Sequence, residues 1–390
     1  MVNLRQGYRM GRTILDRVQY GTDGSVSLCV TVNAIGTLQE RRRAGRCSGR
    51  WSLDARRHDG DGRWTGHYLN ASDLPGGAEP ATRRRNRSGK GTRVSAAIKH
   101  SEVAVNGAKL HVARFGSGRP ILLLHGWPEF WFTWEPVMTR LADRFELIAP
   151  DLRGFGDSDK PVGRFGPVDQ AADIAALIEQ LGLRPVGVVA HDVGATVTQT
   201  LARLAPELIA GLFFFNFVYP GIGKRYANPA HLQETWHTFF NQSDLAPKLV
   251  AASPNGVRLF ITHFLTRWAH REGTFDDATL DAFVRNFEKP GNLEGGFAHY
   301  RAVAQQRKDE YCGASTPPPI HLPTCVRWTD SDPTLDIAWA DRLPEFFTDL
   351  DFQPFPGAGH FPHHENPDKA AAEIAGFFDR LPQSRWTGNQ

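Results

Sequence analysis

Apolar residues are spread unevenly along the chain, and the texture changes near Ser101. Upstream, residues 1 to about 95 carry almost no periodic apolar pattern. The exception is "SVSLCVTV" (25–32), which alternates as a strand does but has no evident partner nearby. Downstream, "SEVAVNGAKLHVARFG" (101–116) reads as two strands around an Asn-Gly turn, the strongest short hairpin signal. "PILLLHG" (120–126) is a continuous apolar run closed by glycine, as expected for a strand covered on both faces of a parallel sheet. Strand and helix signals then alternate. "FELIAP" precedes the helical "DQAADIAALIEQLG", in which Ile174, Leu177, Ile178 and Leu181 share one face and Gly182 supplies the stop. The strand "VGVVA" leads into a helix through the 190s, followed by the strand "GLFFFNF" and, after a long interval, "TCVRW" and "DFQPF". A last helix opens with Asn366 as N-cap and Pro367 at its first position, and turns Ala371, Ile374 and Phe378 inward.

Between 221 and 316 the strand pattern vanishes, and helical stretches such as "NGVRLFITHFLTRWAH" and "DATLDAFVRNF" replace it. The pattern predicts an α/β protein with a doubly wound, mostly parallel sheet and a helical lid inserted after the sixth strand. The core then comprises 96–220 and 317–390, and the lid 221–316. Such a lid lies over the carboxyl ends of the strands, where an α/β ligand site belongs.

Charge sharpens the first boundary. Residues 1–98 hold 18 Lys/Arg against 8 Asp/Glu, or +10, which leaves −7 for the remainder of a chain whose net charge is +3. A segment so basic and so poor in apolar residues cannot offset its ordering entropy, so 1–95 reads as a disordered or non-native extension and not as a nucleic-acid arm. The four cysteines match neither a zinc site nor a dense disulfide framework, which fits a reducing compartment and a cytoplasmic protein. No apolar run approaches the roughly 18 residues of a membrane span. The expected partners are a hydrophobic small molecule and water, with neither nucleic acid nor membrane, and a homodimer is compatible with the sequence. No cofactor and no metal is expected.

Three separated segments converge on one chemistry. "HGWPE" (125–129) is a turn after the third strand whose Trp127 N–H can supply half an oxyanion hole. "VVAHDVGATV" (188–197) is a strand-to-helix turn in which small residues permit a strained elbow at Asp192 and the Val193 N–H supplies the other half. "WTDSDP" and "GAGHFPHHE" contribute Asp332 and His360, each just beyond a predicted strand, so nucleophile, acid and histidine come in that order. Asp330 is a rival to Asp332, and His363 and His364 are rivals to His360. Asn216, after the sixth strand, cannot balance an imidazolium charge. A carboxylate is ionised at neutral pH and attacks a saturated carbon directly, leaving an alkyl ester that can be hydrolysed at its own carbonyl. An aspartate at the elbow therefore implies an sp³ electrophile with a leaving group.

From Ser101 to about Leu381 the order and context of these motifs resemble the α/β-hydrolase fold family. "HGWPEFW", "DLRGFGDSDKP", "HDVGA", "SDP" and "GAGHFPH" are similar to its epoxide hydrolase and dehalogenase branch. The resemblance implies Asp192 as nucleophile, His360 as base, Asp332 as its orienting acid, and two lid groups that activate the epoxide oxygen. "GGFAHYRA" (295–302) resembles the segment carrying one of them, Tyr300, and "TWHTFFNQ" (235–242) the segment carrying the other, here His237. The expected function is hydrolysis of an epoxide to a vicinal diol. A dehalogenase using the same Asp/His/Asp chemistry, with the Trp127 indole facing the halide, and a non-catalytic ligand-binding member of the fold are the alternatives.

Overall fold

The computed structural model describes residues 97–390, apart from 162, 164, 184, 313–315 and 388–390, together with four short strands within the first 92 residues. The chain divides between Thr92 and Arg93 into two compact units. In the first, Val26–Val32 is a strand as expected, and it does have a partner: Thr13–Tyr20 pairs with it antiparallel, with an irregularity between Leu15 and Arg17. Ala55–Arg57 pairs with Trp64–Gly66. The rest of the basic extension read over 1–95, including the arginine clusters, lies outside the described residues.

The second unit is built on eight strands: β1 (Lys99–Val105), β2 (Ala108–Gly116), β3 (Arg119–Leu124), β4 (Phe145–Pro150), β5 (Val186–His191), β6 (Ile209–Phe215), β7 (Thr324–Thr329) and β8 (Leu350–Phe355). Their order across the sheet is β1-β2-β4-β3-β5-β6-β7-β8. β2 runs antiparallel to both its neighbours and the remaining pairs are parallel. The β1–β2 turn has Asn106 at φ 40° and Gly107 at φ 78°, two successive left-handed residues, which is why Asn-Gly closes this hairpin. β5, β6 and β7 are buried along their whole length, which accounts for the apolar runs in β5 and β6, while the buried Arg327 of β7 is paired with Asp351 and Glu373.

Helices cover both faces. α1 (Glu135–Leu141) and α9 (Pro367–Arg380) bury Val137, Met138, Ile374 and Phe378 in one core, and the Asn366 side chain caps α9 by accepting from the Lys369 N–H. α2 (Pro167–Gln180) and α3 (Asp192–Leu204) bury Ile174, Leu177, Val197 and Leu201 in the other. Between β6 and β7 the chain leaves the sheet for α4 (Trp236–Phe240), α5 (Ala246–Val250), α6 (Gly256–Trp268), α7 (Asp277–Phe287) and α8 (Asn292–Cys312). The insertion is bound together by aromatic contacts, with Phe264 touching Trp236, Phe260 and Trp268. No helix among the described residues is long and apolar enough to cross a membrane. Cys312 and Cys325 are free thiols.

Candidate active site

β3 and β5 are neighbours, so the turns that follow them meet at the carboxyl edge of the sheet. Asp192, the first residue after β5, has φ +44°, a conformation that residues with a Cβ rarely adopt and that turns its side chain out of the strand-to-helix junction. Close packing fixes this turn. A Cβ at Gly194 would lie 2.4 Å from the Leu124 carbonyl oxygen, and one at Gly126 would lie 2.6 Å from the Asp192 Cβ. The Trp127 N–H donates to Asp192 Oδ2 at 3.0 Å. Val193 follows within the first turn of α3, where helical N–H groups have no intrahelical acceptor.

His360 and Asp332 are both buried, and the His360 Nδ1–H donates to Asp332 Oδ2 at 2.7 Å. Burial alone would lower the His360 pKa, but the carboxylates of Asp332, Asp192 and Glu129 outweigh it and raise the imidazole to about 9. Burial would likewise raise the Asp332 carboxyl. The His360 charge and the hydrogen bonds from His360 and Thr334 instead hold it below the ordinary carboxylate range. Asp332 Oδ1 accepts from the Thr334 N–H and hydroxyl, both at 2.8 Å. Asp330 is exposed and caps its own loop through the Ser331 hydroxyl, so it does not compete for His360.

Asn216 joins the three loops that carry Asp192, Asp332 and His360. Its carbonyl accepts the Asp192 N–H at 3.1 Å, and its side-chain amide donates to Asp332 Oδ2 at 2.7 Å and to the Gly359 carbonyl at 3.2 Å. A second brace runs beneath the elbow. Glu129 accepts from the Gly126 N–H and His191 Nδ1–H on one oxygen, and from the Thr133 hydroxyl and His363 Nε2–H on the other. The ligand atoms of Glu129, His191 and His363 are close enough to hold a metal ion, and these hydrogen bonds account for their arrangement without one. Burial lowers the His363 pKa to about 4 although Glu129 opposes it, so His363 serves as a neutral donor. A third brace ties the insertion to the histidine loop. The His360 N–H donates to the carbonyl of Trp268, the last residue of α6, at 2.8 Å, and a Cβ at Gly359 would sit 2.2 Å from that carbonyl oxygen. Glu365 accepts from the Gly359, Phe361 and His270 N–H groups.

The cavity above Asp192 and His360 is lined from the insertion by His237 and Tyr300, whose rings lie 5.8 Å apart and nearly perpendicular. All five residues read from the sequence as reacting groups therefore surround one pocket or, for Asp332, stand directly behind it. Burial, reinforced by the positive charge of His360, lowers the His237 pKa to about 3, so it faces the pocket as a neutral imidazole. Burial and the Asp192 charge push the Tyr300 phenol well above its ordinary value and keep its proton in place. The Trp127 indole is not among the lining groups: it stacks on His237, with its Nε1 turned towards Gly296 on α8. Its contribution to the site is its backbone N–H. The sequence reading passed over Glu129, although it stands in the "HGWPE" motif, and Thr334 and His299. His299 adjoins Tyr300 in the pocket wall.

A family model described as the alpha/beta hydrolase fold matches residues 119–367. A soluble epoxide hydrolase of Corynebacterium sp. strain C12 is 31% identical over 297 residues, covering 74% of this chain and 100% of that protein. Among solved structures, Cfl2 from Burkholderia cenocepacia is 32% identical with a TM-score of 0.64, covering 72% of this chain and 95% of that one. The epoxide hydrolase CorEH is 28% identical with a TM-score of 0.65, covering 73% and 100%.

Proposed function

The chain belongs to the α/β-hydrolase fold family, and from that premise we propose that it is an epoxide hydrolase that forms an alkyl ester on Asp192 and releases a vicinal diol. The observation that carries this reading is an aspartate held at a left-handed elbow, opposite a phenol that keeps its proton. In the first step the free oxygen of Asp192 attacks an epoxide carbon and the C–O bond of the ring breaks. Tyr300 transfers its proton to the departing oxygen, and the neutral His237 donates a second hydrogen bond to it. In the second step His360, oriented by Asp332, removes a proton from water, which adds to the Asp192 carbonyl carbon. Negative charge develops on Oδ2, where the Trp127 N–H already bonds, and Val193 supplies the companion donor; one such donor contributes about 3 kcal/mol. Collapse breaks the bond to the alkyl oxygen, which takes the proton of the carboxyl group and leaves as the diol, and the proton held by His360 returns to the Tyr300 phenolate, so that carboxylate and phenol are both restored.

The helices between β6 and β7 act in this scheme as a cap that excludes bulk water, and the cysteine usage fits a cytoplasmic enzyme. The test is His360→Gln, which leaves the first step and removes the second. The variant incubated with an epoxide is expected to gain the mass of the substrate on the peptide containing Asp192. Wild-type turnover in heavy-oxygen water is expected to label that side chain. Halide release from haloalkanes with no epoxide turned over would replace the proposal with a dehalogenase. Product without label would exclude a covalent ester altogether.

A further inference from the structure

His299 lines the pocket over Asp192 and His360 but has no part in the chemistry assigned above. It precedes Tyr300 on α8, and the two rings stand 6.0 Å apart and nearly perpendicular. Its imidazole is held from behind by Gln170, in the first turn of α2, and both side chains are buried. Gln170 Nε2 donates to the Phe165 carbonyl at 2.8 Å and lies 3.3 Å from His299 Nδ1. These contacts fix the tautomer. A carbonyl only accepts, so the amide nitrogen is the atom that faces Phe165; turning the amide over would set oxygen against oxygen. That nitrogen cannot accept, and its second hydrogen is directed at Nδ1, which is therefore the bare nitrogen of the ring. The proton sits on Nε2. Burial, reinforced by the charge of Arg307, lowers the His299 pKa to about 4 although the Asp192 carboxylate opposes it, so the ring is neutral at working pH. With Nδ1 engaged, the Nε2–H is the donor left for the pocket. Val193, Val218, Val303 and Leu335 give the same cavity apolar walls. A purely hydrocarbon substrate packed against them would leave this donor buried without an acceptor, which is costly.

From this geometry, and resting on the epoxide hydrolase reading of the same site, we infer that His299 is a specificity-determining residue: its Nε2–H donates to an uncharged oxygen that the substrate carries close to the epoxide ring. The position follows from the helix. His299 adjoins the residue that meets the epoxide oxygen, so the acceptor it serves belongs beside the ring and not at the far end of the chain. An ether oxygen one carbon from the ring meets this requirement and brings no charge near Asp192. Discrimination then comes from the enzyme side, because the analogue with a methylene in that place strands a buried N–H.

The probes are phenyl glycidyl ether and its carbon isostere, in which a methylene replaces the ether oxygen, with styrene oxide as the reference. The quantity read is the ratio of kcat/KM for ether over isostere, compared between variants so that the intrinsic reactivities of the two epoxides cancel. His299→Asn, whose amide reaches only the place of Nδ1, is expected to lower that ratio by about tenfold, the worth of one buried hydrogen bond. His299→Gln, whose amide nitrogen reaches the place of Nε2, is expected to keep most of it. A partial loss of folded protein scales both rates alike and leaves the ratio untouched. If His299→Asn does not fold, His299→Phe, which keeps the ring, makes the same comparison. A ratio unchanged in the variant without the donor, or one lost as fully in His299→Gln as in His299→Asn, overturns the inference. Failure of the wild type on styrene oxide and on both probes overturns the epoxide hydrolase reading beneath it.

Discussion

At the scale of single residues, the site turns on the state of His360. With Asp192 ionised its pKa stands near 9, so in the resting enzyme at neutral pH the imidazole is protonated and is not yet a base. In the proposed cycle, ester formation would neutralise Asp192 and remove one of the carboxylates that raise it. The base is thus released by the step that creates its substrate. Single-turnover hydrolysis of the alkyl-enzyme is therefore expected to accelerate with rising pH, with a midpoint below about 9, and Asp332→Asn to shift that midpoint lower still while slowing the step. The same ionisation has a stability counterpart. The folded pKa lies above the unfolded value of about 6.5, so the contribution is complete below that pH and is lost as pH rises through about 9, a change on the order of 3 kcal/mol. The unfolding free energy of the wild type relative to His360→Gln is expected to decline across that interval in urea titrations. Asp192, His360 and Asp332 were legible in the sequence because each follows a strand in a short motif. Asn216 and Glu129 were not read as bracing groups, because the bonds that make them so reach residues far along the chain, as from Glu129 to His191 and His363, 62 and 234 positions away.

At the scale of elements, the hairpin, the buried parallel strands and the capped final helix follow from local patterns, and their sequence and structural bounds agree within a few residues. α8 does not follow from such a pattern. One of its faces lines a pocket, another packs on the core and a third meets solvent, so its apolar residues form no single stripe. The strand-to-helix junction at Asp192 is the element most exposed to small changes. Gly194→Ala would drive a methyl group into the carbonyls of Leu124 and His125, backbone atoms that cannot turn aside. A loss of about 1–3 kcal/mol in unfolding free energy is expected, read as a lower urea midpoint, with a fall in kcat as Asp192 moves off the Trp127 N–H.

At the scale of the whole molecule, the charge break near residue 98 and the compact unit beginning at Arg93 mark nearly the same boundary, although one is read from composition and the other from contacts within each unit. Every group assigned a role in the chemistry belongs to 93–390. A protein starting at Arg93 is therefore expected to retain the kcat/KM of the full chain on styrene oxide, and a steady-state comparison of the two decides it. The doubly wound sheet and the inserted helices were legible because strand and helix signals alternate and then stop; the packing of that insertion against the histidine loop was not. That packing gives α6 leverage over chemistry it does not perform. Because the carbonyl at its end fastens the His360 backbone, a displacement of α6 falls on the deacylation half of the cycle first, and evolution or engineering that reshapes this roof for new substrates must retune the timing of water attack along with the fit.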